Sequence, residues 1–156
     1  MTSATRTSEL DLSIREMTDA DIATIVRLET EIFPDPWPRQ SFVDIMEQPE
    51  WTGLVVEASG EIIAYACILL SAGEMHLANI AVTAPFRRKS VASRLLNRIL
   101  EIAVKHKCAM ILLEVRVSNQ GARAFYEREG FTGLYTRARY YRRPLEDALV
   151  MVRYLT

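Results

Sequence analysis

No stretch of this sequence of 156 residues is apolar for long enough to cross a bilayer. The longest run, Ile62 to Leu70, falls far short of the roughly 20 residues a spanning helix needs. The opening MTSATRTSE lacks the hydrophobic core of a signal peptide, so residues 1–10 read as a polar leader before one domain over 11–156. Histidine and cysteine are scarce, with two of each. His76 and His106 are isolated and Cys67 and Cys108 sit inside apolar segments, so the spacing supports neither a metal site nor a disulfide. The cysteines read as small buried hydrophobes in a reducing, cytoplasmic setting. Charge of one sign is missing too: 19 basic against 20 acidic residues leave a net −1. No global basic field exists to hold duplex nucleic acid, and a membrane partner is not expected either.

What is present is ordinary globular material, 49% hydrophobic and 25% charged, enough in one domain to bury a core. A short strand is expected at Leu12–Arg15. Thr18 then offers a cap for a helix over Asp19–Glu31, with Ile22, Ile25, Val26 and Leu28 as its apolar stripe. Pro34, Pro36 and Pro38 forbid a helix through the next segment, leaving Phe33 and Trp37 on a stiff loop before a helix at Arg39–Glu47. Thr52–Ala58 and Glu61–Leu70 read as a hairpin across Ser59-Gly60. A strand at Glu74–Thr83 ends at Pro85, and a long amphipathic helix spans Ser90–Lys107. Ala109–Val117 is a strand. Asn119–Glu129 is a helix closed by Gly130. Two final strands, Phe131–Arg139 and Asp147–Tyr154, flank a turn at Arg142–Leu145. The expected fold is α+β, one domain with a mixed, mostly antiparallel sheet of about seven strands and helices on both faces.

The segment NIAVTAPFRRKSVASRLL carries the sharpest signal. Arg87, Arg88 and Lys89 precede a helix N-terminus, which already presents unpaired N–H groups and about half a positive charge. A bound pyrophosphate would relieve that conflict, although a solvated basic loop fits the charge pattern equally well. R-R-K-S-V-A resembles the coenzyme-A loop Q/R-x-x-G-x-G/A of the GNAT superfamily of N-acetyltransferases. The strand end N-I-A-V, the later L-E-V, and N-x-x-A-x-x-x-Y-E-x-x-G-F (Asn119, Ala122, Tyr126, Glu127, Gly130, Phe131) follow in that family's order and spacing. The resemblance runs from about Ile14 to Leu155. It implies acetyl-CoA as co-substrate, held by Ile80, Ala81, Val82, Arg87, Arg88, Lys89, Ser90, Val91, Ala92 and Asn119, with no metal. Ser90 departs from the pattern where a glycine is usual. Its hydroxyl is a good helix N-cap, but its Cβ can crowd a phosphate.

On the strand ILLEVRV, Leu112, Glu114 and Arg116 share one face. Read from the residues, Glu114 is half of an exposed charge pair with Arg116. The resemblance makes it instead the general base that takes the amine proton, a task for which a carboxylate needs burial or a water relay. Tyr126 reads as a core aromatic, and by resemblance as the general acid toward the departing thiolate. A phenol near pKa 10 can donate to a thiolate whose conjugate acid is near 8.5. Asn119 is open between helix cap and ligand contact.

F-P-x-x-W, L-E-V-R-V-S-N and the tail Y-Y-x-x-P-x-E-D-A-L-V-M narrow the resemblance to a branch that acetylates the N-terminal alanine of a small-subunit ribosomal protein. The chemistry agrees. At pH 7 on the order of a tenth of α-amines are neutral, against fewer than roughly one in a thousand lysines, so a modest base suits an N-terminus. Trp37, Tyr140 and Tyr141 are candidate walls of a peptide groove, and Glu146 and Asp147 candidate attractors of a basic peptide. Packing aromatics and solvated turn acids are the alternatives. An enzyme acting on lysine or a small amine, and a weakly catalytic acetyl-CoA-binding regulator, are the competing functions.

Overall fold

The computed structural model describes residues 11–88 and 90–155, so the leader over 1–10, and Lys89 of the basic loop, lie outside the described residues. Among the described residues are seven strands, β1 (Leu12–Glu16), β2 (Trp51–Ala58), β3 (Glu61–Ser71), β4 (Glu74–Val82), β5 (Met110–Arg116), β6 (Thr132–Arg142) and β7 (Leu145–Tyr154), and four α-helices. The helices are α1 (Ile22–Ile32), α2 (Arg39–Glu47), α3 (Val91–Lys105) and α4 (Gln120–Arg128). The strands form one sheet in the order β1-β2-β3-β4-β5-β7-β6. Each neighbouring pair is antiparallel except β4 with β5. The expected α+β architecture, mostly antiparallel with helices on both faces, is the one observed. Among the described residues no helix is long and apolar enough to cross a membrane.

Strand alternation sends β2 and β3 side chains into two separate cores. Leu54, Val56, Ala64, Ala66 and Ile68 join the α3 stripe of Val91, Leu95, Leu96, Ile99 and Ala103, together with Tyr126 of α4. Val55, Tyr65 and Cys67 face the other way, onto Ile22, Ile25 and Leu28 of α1 and Phe42 and Ile45 of α2. Each fully buried Leu or Ile contributes about 1.5–3 kcal/mol, so these two stripes carry most of the gain from docking the helices.

The N-terminus of α1 differs from expectation by one turn. Asp19–Asp21 is a 3-10 turn ahead of the α-helix. The Asp21 carboxylate accepts from the Thr18 N–H at 2.7 Å and from its hydroxyl at 3.1 Å, which makes a tight cap. At the other boundary read from sequence, Gly130 does close α4: its φ is +95°, and the Phe131 N–H bonds back to the Tyr126 carbonyl at 2.9 Å.

Two features of β4 position the site. Cys67 pairs with Asn79 but Ile68 with Leu77, so Ala78 is an extra residue, a bulge. Before it Met75 and Leu77 point into the α3 core; after it Ala81 points into the α1 core. The bulge thus puts His76 and Asn79 on the same face. The second feature is the short parallel ladder to β5, from Glu74↔Met110 to His76↔Leu112. Beyond those pairs the two strands part, and the β4 edge from Leu77 onward has no ladder partner on β5.

Candidate active site

Beyond β4 the chain turns through Ala84–Phe86 into the basic loop and then α3. Pro85 suits this turn because its missing N–H is not needed there. The Arg87 side chain folds back, donating from Nε to the Val82 carbonyl at 2.9 Å. Arg88 and Ser90 both have left-handed backbones, with φ of 62° and 65°. Residues with positive φ recur in the backbone turns that aim N–H groups at anions. Ser90 stands at the N-cap of α3, yet its hydroxyl caps nothing. The expectation of a serine N-cap is therefore corrected: the cap requires extended backbone, and this residue is left-handed. Glycine is usual at this position of the resembled loop because the turn needs φ > 0. Val91 is buried in the α3 core, and the partly buried Ile80 and Val82 pack on that core, while Ala81 enters the other one. With these side chains committed to packing, the strand end offers a ligand mainly its backbone. Ala92 lies in the first turn of α3, where N–H groups have no partner inside the helix.

Glu114 projects from β5 on the face opposite the α3 core, because its neighbours Leu113 and Val115 are in that core. Its side chain is 11% exposed and accepts or shares a hydrogen bond with His76 Nε2 at 2.7 Å. The Tyr140 hydroxyl donates weakly to the same oxygen, Oε1, at 3.5 Å. The expected pairing of Glu114 with Arg116 does not form. Arg116 reaches instead to the β6–β7 turn, donating to the carbonyls of Pro144 at 2.8 Å and Arg143 at 3.0 Å and to Glu146 Oε1 at 3.2 Å. Its guanidinium also lies 4.3 Å from the centre of the Tyr141 ring.

Tyr126 lies on the opposite side of the sheet. It is 8% exposed, edge-on to Phe125 and Phe131 with centroids at 5.2 and 5.7 Å. Burial pushes its phenol up to about 12, so it stays protonated at neutral pH. Glu114 and Tyr126 therefore approach the sheet from its two faces.

Residues 22–131 match the model of the Acetyltransferase (GNAT) family. The chain belongs to that family. This acetyltransferase is 31% identical over 140 residues to a putative ribosomal protein bS18-alanine N-acetyltransferase of Bacillus subtilis, covering 89% of this chain and 93% of that one. It is 30% identical to the N-alpha-acetyltransferase RimI of Mycobacterium tuberculosis, over 91% of this chain and 92% of the relative. The crystal structure of the ribosomal-protein-S18-alanine N-acetyltransferase from Escherichia coli superposes with a TM-score of 0.84 at 27% identity, covering 93% and 94% of the two chains.

The remaining candidates in the acetyltransferase divide. Asn119 caps α4, its Oδ1 accepting from the Ala122 N–H at 3.1 Å, which leaves its amide N–H2 available to a ligand. Tyr140 and Tyr141 stack edge-on, centroids 5.0 Å apart, beside Glu114 and Arg116, and burial raises both phenols above their ordinary range. Trp37 packs 5.6 Å from Phe42 and lines a groove of about 330 Å³ with Ser41, Asp44, Ile45, Gln48 and Trp51. Glu146 and Asp147 are both hydrogen-bonded within the structure. Ser118, through its hydroxyl and its N–H, and Arg116 hold the Glu146 carboxyl below the usual range, while Asp147 accepts from the Arg139 N–H at 2.9 Å. Both acids shape the β6–β7 hairpin that carries the tyrosines.

Two residues escaped the sequence reading. His76 looked isolated because its partner is far along the chain and across a strand boundary. Glu29 was legible in principle, as an acid continuing the apolar stripe of α1 from Ile25. It is 2% exposed and accepts from the Tyr65 hydroxyl at 2.7 Å, Asn79 Nδ2 at 3.0 Å and the Trp37 N–H at 2.9 Å. Among the described residues no group of three His, Cys, Asp or Glu side chains is placed to hold a metal ion.

Proposed function

We propose that this acetyltransferase moves the acetyl group of acetyl-CoA to the N-terminal α-amine, alanine first, of a small-subunit ribosomal protein. The observation that supports the reading is that Glu114, two residues past the end of the β4–β5 ladder, and Tyr126 lie on opposite faces of the sheet. The left-handed turn at Arg88 and Ser90, the basic residues Arg87 and Arg88, and the first turn of α3 suit a pyrophosphate. The unpaired β4 edge and the Asn119 amide suit the amide-rich arm of coenzyme A. Acetyl-CoA is the substrate that supplies the thioester.

The acceptor amine attacks the thioester carbonyl directly, with Glu114 taking the proton the amine loses. Tyr126, protonated throughout the working range, donates to the sulfur that leaves. Neither cysteine serves as a nucleophile: both are buried, and burial raises both thiols and so disfavours the thiolate. Positioning supplies the rest of the acceleration. The alanine preference rests on the relatives named for it and on the match between a carboxylate base and an α-amine.

Purified protein should acetylate an Ala-initiated peptide of the ribosomal substrate in preference to an internal-lysine peptide or a polyamine. In cells, intact-mass spectrometry of ribosomal proteins should show the small-subunit target lighter by one acetyl group, about 42 Da, when the gene is deleted. An unchanged mass, or faster turnover of a polyamine, sinks the reading.

A further inference from the structure

We infer that Asn79 binds the acceptor amine: its side-chain carbonyl Oδ1 accepts the N–H that Glu114 does not take, and Glu29 holds the amide in that orientation. The inference rests on the proposed reading, an α-amine acceptor with Glu114 as its base. Strand register sets the two side chains level with each other. In the parallel ladder His76 stands opposite Leu112, the last pair before the strands part. Glu114 lies two residues further along β5. Ala78 is the extra residue of the bulge, so Asn79 also lies two ladder steps beyond His76, opposite Cys67 where His76 is opposite Leu69. Each is therefore advanced by about 7 Å from the last pair. The bulge puts Asn79 on the face of His76, and His76 Nε2 meets Glu114 Oε1 at 2.7 Å, so all three share one face. Asn79 and Glu114 thus stand on either side of the place where the ladder has ended.

The partner of the Asn79 amide fixes which way it faces. Nδ2 donates to Glu29 Oε1 at 3.0 Å, and that buried carboxylate also accepts from the Tyr65 hydroxyl and the Trp37 N–H. A carboxylate accepts, so the N–H2 side must face it and the planar amide turns Oδ1 to its other edge. Among the described residues Oδ1 has no hydrogen-bond partner, and no buried side-chain oxygen or nitrogen lacks one. Oδ1 is therefore open to solvent, a free acceptor on a half-buried residue. A neutral primary amine carries two N–H groups and one lone pair. With one N–H on Glu114 and the other on Oδ1, the lone pair is left for the thioester carbonyl. As the N–C bond forms and the C–S bond breaks, Glu114 takes its proton and the sulfur leaves with the proton of Tyr126. The second N–H stays on nitrogen and becomes the amide N–H of the product, still bonded to Oδ1. A secondary amine has a single N–H and cannot satisfy both residues.

The test compares kcat/KM for an Ala-initiated peptide with that for the same peptide beginning in N-methylalanine, using wild type, Asn79→Ala and Glu114→Gln. Wild type should favour the alanyl peptide by at least about tenfold, the scale of one lost hydrogen bond. Asn79→Ala should lose about tenfold on the alanyl peptide and little on the N-methyl peptide, so the preference collapses to within about threefold. Acetyl-CoA affinity by calorimetry should be unchanged, which certifies the fold and separates a contact with the amine from a merely structural role. A preference retained in Asn79→Ala, or equal turnover of the two peptides by wild type, overturns the inference. If Asn79→Ala no longer binds acetyl-CoA, the wild-type preference decides alone. If Glu114→Gln is as active as wild type, the reading of the base itself fails and the inference falls with it, so the two failures are told apart.

Discussion

The Tyr65 hydroxyl donates to the Glu29 carboxylate at 2.7 Å across the junction of β3 and α1, and both residues are buried. The same carboxylate holds Asn79 of β4 and the backbone of Trp37. One acid therefore ties the proline-rich loop, the first helix and the strand that leads to the basic turn before α3. A buried carboxylate is tolerated here because three donors replace its lost water.

Removing Glu29 should be costly. Glu29→Ala leaves the Tyr65 hydroxyl, the Asn79 amide and the Trp37 N–H without a partner, an expected loss of about 3–5 kcal/mol. Tyr65→Phe removes one donor and should cost about 1–2 kcal/mol. Thermal unfolding followed by circular dichroism gives both values; equal losses for the two variants would mean the carboxylate is not the hub.

Ser90→Gly should stabilise the protein. A left-handed L-residue costs about 1–2 kcal/mol, and glycine returns part of that gain through its freer unfolded chain, leaving up to about 1 kcal/mol. Acetyl-CoA affinity, measured by titration calorimetry, should be equal or tighter. A clear weakening would identify the serine hydroxyl as a ligand.

Asp21 should govern part of the acid unfolding. Arg15, bonded at 2.8 and 2.9 Å, is the main cause that lowers its carboxyl from 3.8 to about 2. A lowered value stabilises the fold above the unfolded pKa, so this contribution is complete above about pH 4 and lost as pH falls through about 2. It amounts to about 2 kcal/mol at pH 7. Asp21→Asn should lose that amount and flatten the stability profile between pH 4 and 2, as read from urea midpoints.

Tyr126→Phe and Glu114→Gln should each lower kcat by about 10²–10³ while barely moving the acetyl-CoA KM, the usual scale for a lost general acid or base. Because the Tyr126 phenol is pushed up to about 12, any fall in wild-type rate below pH 10 must come from another group. A Tyr126→Phe enzyme with full kcat would return the tyrosine to a packing role.

Much of the fold was legible because it is local. The helix Arg39–Glu47 ends where the prolines on either side require, and the alternation of Val, Ile and Leu marks the β2–β3 hairpin. Errors clustered where tertiary contacts compete with local rules. Arg116 and Glu114, two apart on one strand, looked like a pair, but the cross-sheet partners Glu146 and His76 offer better geometry. Glu146 and Asp147 looked like free turn acids, yet backbone N–H groups of Ser118 and Arg139 claim them.

By itself the sequence determined the order of elements, the two apolar faces, the basic turn before α3 and the residue types needed for acyl transfer, since each depends on spacing along the chain. Only the tertiary structure decided that His76 meets Glu114, that Glu29 is a buried hub, and that Glu114 and Tyr126 stand on opposite faces of the sheet. It also showed that Ser90 occupies a left-handed turn where its hydroxyl cannot cap. These depend on one bulge at Ala78, on where the β4–β5 ladder ends, and on backbone angles, and pattern along a chain does not encode any of them directly.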